Sequence, residues 1–340
     1  MQDWYPSAVM DLVVHAGNDA LGALAPEWTQ VWERDPSATL FQRPEYFGAW
    51  VPEFAQDRKI SVVDVRRDGT LAGIIALSVD PDGVLRFLGD PAVTDYFGPV
   101  CEPSDRDPVA QAVIDAAAQI DGWERAEFLG LAVDSGWPDA LTRAAKTAGF
   151  SVQERKQDVC PRVTLTGTYE DYLASLDGKL RHEVRRKARK LEREAGSFNV
   201  RLSQPDTLHA DLEHFFEMVR TSEGPKGHFL HWGMAGFFTL LSRAFQQQNW
   251  LRFTLLEIDG EPLAASISFS AKGTWAVYNA SYSASRRELA PGMVLMSECI
   301  RLATEEGCHT FDLMRGDEPY KYRFGAVDVP LHALTIERGR

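Results

Sequence analysis

Two stretches of the chain, far apart in sequence, spell the same local structure. ISVVDVRRDGTLAGIIALSV (60–79) and LRFTLLEIDGEPLAASISFS (251–270) each place alternating apolar residues on both sides of an Asp-Gly pair. Asp-Gly between alternating runs marks a tight β-hairpin, because both central turn positions need a positive φ. The pairs Asp68-Gly69 and Asp259-Gly260 are offset by 191 residues. Upstream of each lies an aromatic helical stretch, TLFQRPEYFGAWVPEF (39–54) or HFLHWGMAGFFTLLSRAF (228–245). Downstream of each come a further strand, a helix at about 107–120 or 293–306, and a short apolar strand, RAEFLGL (125–131) or HTFDLM (309–314). Phe128 and Phe311, in those last strands, are 183 apart, close to the first offset. A fixed order at a nearly fixed period is what duplication of one unit leaves behind. Each unit is expected to be a mixed, mostly antiparallel sheet flanked by helices, an α/β (α+β) architecture. With 340 residues, two domains are expected, 1–165 and 166–340.

Between the repeats lies a segment of opposite electrical character. TYEDYLASLDGKLRHEVRRKARKLEREAG (168–196) carries apolar residues at Leu173, Leu176, Leu180, Val184, Ala188 and Leu191, the spacing of a helix with one buried stripe. Asp177-Gly178 is a point of interruption and Gly196 a stop, so the second domain leads with a basic helix over 168–195. Within 179–194, eight Lys or Arg face three Glu, a local balance of +5 in a chain whose formal charge is −13. A protein this acidic is poorly suited to broad binding of nucleic acid or anionic membrane, so any anion must be captured locally. A solvated helix face is the ordinary explanation for such a run. Against it, Arg181, Arg185 and Arg189 fall at i, i+4 and i+8, where like charges repel unless something neutralises them. Arg presents a forked donor suited to phosphate, so Arg181 and Arg185 are candidate ligands for a phosphorylated substrate.

Two further clusters carry chemistry. In ASRRELAPGMVLM, Arg286 and Arg287 precede Pro291-Gly292 at the start of an amphipathic helix. Pro at a helix start, free backbone N–H groups and the helix dipole together form a candidate phosphate cradle. In FDLMRGDEPYKYRFG (311–325), Asp312 ends an apolar strand, and Asp317, Glu318, Tyr320, Lys321 and Arg323 crowd the next loop.

The succession of KLRHEVRRKARKLERE, a hairpin, a strand leading to APGMVLM, and FDLMRGDEPYKYRFG resembles the GNAT-type acyltransferase domain of the Fem-like and CelD-like (BioF2-like) group. The resemblance runs from about 165 to 325, and the first half is similar to a degenerate copy, as in tandem GNAT proteins. It implies acyl-CoA as co-substrate, with its pyrophosphate received by Pro291, Gly292 and Met293 and supported by Arg286 and Arg287. It implies that Lys321 lies near the transfer centre, and that Arg181 and Arg185 bind phosphorylated substrate. ELAPGM carries one glycine where GNAT loops often have two. The first half's own loop, DYFGPVCEPSDRDP (95–108), is acidic and rich in Pro, so no second CoA site is expected there. Asp95 and Tyr96 are expected either to shape an acceptor pocket or to form a packed turn.

The function expected is transfer of an acyl group from acyl-CoA to an amine or hydroxyl of an acceptor held in the interdomain cleft. Asp317 or Glu318 would serve as base, Tyr320 or Tyr322 as acid, and Lys321 would neutralise developing charge. The alternatives are a Fem-like transferase using aminoacyl-tRNA on a cell-wall precursor, disfavoured by the net charge, and a non-catalytic module of polysaccharide assembly. Neither DNA nor a membrane span is expected. Four scattered Cys and the His228/His231 pair offer no metal pattern, so no metal is expected. The N-terminus lacks a basic segment followed by a long apolar run, and a reducing cytoplasm is the expected compartment.

Overall fold

The computed structural model describes residues 10–222 and 233–337, and the His228/His231 pair lies outside them. The chain divides into two compact units, one running to Asp158 and resuming at Val329, the other spanning Val159–Asp328. The first boundary lies seven residues before the expected one, and the residues from Val329 onward, expected in the second domain, group with the first.

The first unit contains β1 (Met10–Ala16), α1 (Asp19–Ala23), α2 (Ala25–Arg34), α3 (Pro44–Phe54), β2 (Lys59–Arg67) and β3 (Thr70–Val79). It continues with β4 (Val84–Phe87), β5 (Val100–Cys101), α4 (Arg106–Gln119), β6 (Arg125–Ala132), α5 (Trp137–Thr147) and the start of β7 (Ser151–Thr164). Asp68 and Gly69 take φ of 50° and 77°, the paired positive values that the Asp-Gly turn predicts. The sheet order is β1-β2-β3-β4-β6, completed beside β6 by β13 (Val327–Glu337), with β5 on β3. Alternation along β2 and β3 sends Val63, Val65, Ile75 and Leu77 to one face, where α4 and α5 cover them with Val109, Val113 and Leu141. Residues of opposite parity, Ile74 and Ala76, meet Trp28, Phe41 and Phe47 around a void with room for about one water.

The second unit contains α6 (Tyr169–Ser175), α7 (Gly178–Ala195), β8 (Phe198–Leu202), α8 (Leu208–Arg220), α9 (Met234–Gln247), β9 (Leu251–Ile258) and β10 (Glu261–Ala271). It ends with β11 (Thr274–Tyr282), α10 (Pro291–Glu305) and β12 (Thr310–Asp312). Its sheet order is β7-β12-β11-β10-β9-β8. Asp259 and Gly260 repeat the turn geometry at φ of 51° and 81°. On one face α6, α7 and α10 bury Leu173, Leu191, Leu295 and Ile300 against Trp275 and Leu256. Elsewhere the aromatics of α8 and α9 pack on the strands, Phe215 on Phe253 at 6.0 Å and Phe245 on Phe269 at 4.7 Å between ring centroids.

The two units share a repeated core. In both, a hairpin is followed by a strand, a helix and a strand parallel to the one before the helix: β4 with β6, and β11 with β12. The expected helix over 168–195 is two helices. Leu176 is extended, and the Asp177 carboxylate accepts from the N–H groups of Lys179 and Leu180, starting α7 afresh.

Candidate functional site

The second unit is opened by one extra residue. β10 and β11 pair without interruption from Ala271↔Thr274 to Ser268↔Val277, and the next pair is Ile267↔Asn279, so Tyr278 is a β-bulge. A bulge bends its strand and increases local twist. β12 pairs with β11 only through Thr274–Ala276, two residues short of that bulge. After Asp312 the chain stays bonded to β7 instead: Leu313 N–H donates to Pro161 O at 3.0 Å and Gly316 N–H to Val159 O at 2.9 Å. The pairing of β12 with β11 thus ends at Ala276, just before the bulge. The Tyr278 ring is anchored on Phe238 at 5.4 Å and Phe269 at 5.2 Å, which fixes the bulge.

β11 runs directly into the expected cradle. Arg286 and Arg287 are exposed in a 3-10 segment, Ala284–Leu289, and Ala290 adopts the left-handed conformation (φ 53°) as N-cap of α10. No side chain caps this helix, and Pro291 occupies its first turn. Gly292 is needed there for space, because a Cβ would stand 3.2 Å from the ring of Tyr282, itself 45% exposed at the end of β11. Met293 donates its N–H back to Ala290 O.

The loop after β12 is built around a buried cation. Lys321 is 2% exposed, and its ammonium donates to the carbonyls of Met314 (2.9 Å), Arg315 (2.7 Å) and Gly316 (3.0 Å) and pairs with Glu318 at 2.9 Å. All three of its protons are thus engaged within its own loop, and this is a different employment from the neutralisation of developing charge expected from the sequence. Asp312 is also buried, taking Arg162 Nε at 2.9 Å and the N–H of Met314 at 2.8 Å, and it pins the turn at which Met314 takes φ 59°. Asp317 is exposed and forms no ion pair among the described residues. Burial, then the charge of Glu318, pushes the Tyr320 phenol above its ordinary range, although 39% of the residue is exposed. The Tyr322 hydroxyl donates to Asp328 at 2.8 Å, and that bond pushes its pKa up to about 12.

The basic helix α7 lies against this assembly. Lys190 donates to Glu288 O, in the turn before α10, at 2.8 Å, and Arg323 reaches Glu183 at 3.5 Å. The structure thereby ties α7, the start of α10 and the 321–324 turn together. Arg185 pairs with Glu170 at 2.7 Å and Arg181 donates to Ala174 O at 3.2 Å, so the repulsion read from their spacing is relieved partly inside the protein.

The first unit has the same parting of strands, but filled. Phe97 donates its N–H to Gly130 O of β6, and its ring lies between Gly89, just after β4, and Gly130. A Cβ would stand 2.8 Å from that ring at Gly89 and 2.6 Å at Gly130. Asp95 and Tyr96 are 9% and 4% exposed beside it, with Tyr96 against Phe41. The structure places this pair in a packed plug of the first unit. Sequence reasoning missed the Tyr278 bulge, because register is set by a partner strand and leaves no local mark. It missed the plug as well, although Gly89 and Gly130 around an aromatic loop were available as a signal.

Among the described residues no group of three or more His, Cys, Asp or Glu is arranged to hold a metal, and no helix is long and apolar enough to cross a membrane. The family described as Acetyltransferase (GNAT) domain matches residues 178–322. No curated protein matches the chain. Among solved structures, FemX aligns with a TM-score of 0.68 at 14% identity, covering 95% of this chain and 96% of that one. The C-terminal domain (DUF2156) of a putative lysylphosphatidylglycerol synthetase from Agrobacterium fabrum aligns at 0.61 and 14% identity, covering 94% and 93%. A tandem GNAT protein from the clavulanic acid biosynthesis pathway aligns at 0.52 and 12% identity, covering 98% and 99%. At these identities the likeness concerns the fold. Residues 178–322 thus match the Acetyltransferase (GNAT) domain family, and the fold of the whole chain is like that of FemX and of a tandem GNAT protein.

Proposed function

We propose that the second unit transfers an acyl group from acyl-CoA to an amine or hydroxyl of an acceptor. The observation that supports this reading is that β11 and β12 stop pairing at Ala276 beside the Tyr278 bulge, next to the start of α10, whereas Phe97 fills the matching position of the other copy. An extended pantetheine arm would lie along Val277–Tyr282, with its pyrophosphate toward Gly292, Met293 and the exposed Arg286 and Arg287. The acceptor nucleophile attacks the thioester carbonyl, a base takes its proton, and the thiolate leaves as a thiol after protonation. Asp317, free of ion pairs, is the better base than Glu318, which Lys321 holds. Tyr320, partly exposed beside Asp317, is a better candidate acid than Tyr322, whose hydroxyl is committed to Asp328. Lys321 acts by holding the loop that presents them. Positioning of two bound substrates supplies most of the rate, with no covalent enzyme intermediate.

The test is a thermal-shift series with acetyl-CoA, longer acyl-CoAs and free CoA. A ligand at 100 times its dissociation constant stabilises by about 2.7 kcal/mol, and release of free thiol with an acceptor panel follows turnover. Failure of every CoA to shift a well-folded protein sinks the acyl-CoA reading. The basic α7 favours a second donor, an aminoacyl-tRNA. A shift by that donor alone, steeply lost with salt, would select it.

A further inference from the structure

The outward face of α7 is a surface the transfer chemistry does not use. Val184 and Leu191 are buried, and at about 100° per residue Lys179, His182, Arg186, Arg189 and Arg193 all fall within roughly 50° of the opposite direction. Glu183, Glu192 and Glu194 lie at the flanks of that arc, nearer the buried stripe. Lys179, His182, Arg186, Arg189 and Arg193 are exposed. Lys179, Arg186 and Arg189 form no ion pair among the described residues, while Arg193 is held only by its exposed neighbour Glu194. The cations from 179 to 193 extend along about 21 Å of helix in a nearly straight band.

We propose that this face docks the protein on an anionic lipid surface. Charge complementarity fits a plane of phosphates: the band is cationic throughout, and with α7 lying flat its exposed charges face one way. It holds no Phe, Tyr or Trp, and His182 is its one ring, so a single nucleic-acid strand finds cations there but no row of stacking platforms. It holds no apolar side chain to insert, so the contact is electrostatic and reversible. The remainder of the chain stands near −18 once the +5 of residues 179–194 is set aside. That charge disfavours approach by other faces, and beyond about 8 Å at physiological salt its repulsion is screened. The inference rests on the acyl-CoA reading, since an aminoacyl-tRNA donor would compete for the same helix.

Co-sedimentation of the full chain with uncharged phosphatidylcholine vesicles, and with vesicles containing about 30% phosphatidylglycerol, tests it. Binding is expected only to the anionic vesicles at about 50 mM salt, with release at about 500 mM. Replacing Arg186, Arg189 and Arg193 by Gln should weaken partition by about fivefold per charge, roughly a hundredfold together. The variant's melting temperature and its shift with acyl-CoA should be unchanged. No binding by folded wild type overturns the proposal, as does equal binding by the triple variant. Tighter binding to RNA than to vesicles at equal phosphate concentration would assign the face to nucleic acid and overturn it too.

Discussion

A lysine whose ammonium faces three carbonyls and a carboxylate has no proton left to lend. Lys321→Met would leave the buried or half-buried oxygens of Met314, Arg315 and Gly316 without their donor. Buried unsatisfied groups cost about 1–3 kcal/mol each, so the variant should lose several kcal/mol in denaturant unfolding, and turnover with it. A variant with an unchanged unfolding midpoint and no turnover would instead place the ammonium in the chemistry. Gly130 makes the complementary point in the first unit. It sits at φ 60° with the Phe97 ring against it, so Gly130→Val should destabilise by at least about 2 kcal/mol, read by thermal melting. Polar loop residues such as Asp317 and Lys321 were visible in the sequence because chemistry needs particular residue types. Which of them is committed to the backbone depends on a loop path that no periodicity encodes.

At the level of elements, what the sequence made legible was whatever is written locally. The Asp-Gly turns, the stripe of α7 and the helix start at Pro291 each rest on residues within one turn or strand. The interruption at Asp177 is of the same kind. Asp177→Ala removes a carboxylate that accepts two N–H groups, and it should cost about 1 kcal/mol, seen as fraying of α7 in hydrogen exchange. The bulge in β11 and the short reach of β12 are properties of pairs of strands, and they surfaced only with the register. On the proposed function the contrast matters, since it would assign the extended donor to the second unit and not to the first, where Phe97 fills the corresponding position. Phe97→Ala should therefore lower stability without creating a second donor site, because the N–H of Phe97 still spans to Gly130. Isothermal titration giving two sites would contradict that expectation.

Across the whole molecule, duplication explains the order of elements while the grouping of residues follows a different rule. The first unit closes with β13, whose Leu331, Leu334 and Ile336 are at most 2% exposed and pair along β6. Removing residues 329–340 should therefore unfold the first unit, with loss of its melting transition in calorimetry, although every expected element of that half remains. Nothing local foretells this, because a strand's partner about 200 residues away leaves no mark in either segment. Seen on the time axis of protein synthesis, the arrangement imposes a wait. The 170 residues from Val159 to Asp328 must be translated before β13 can exist, which at 5–20 residues per second is about 10–30 s. Throughout that interval one edge of β6 stays unsealed in a nascent first unit, exposed to other chains on the same polysome and to the chaperones that guard such edges.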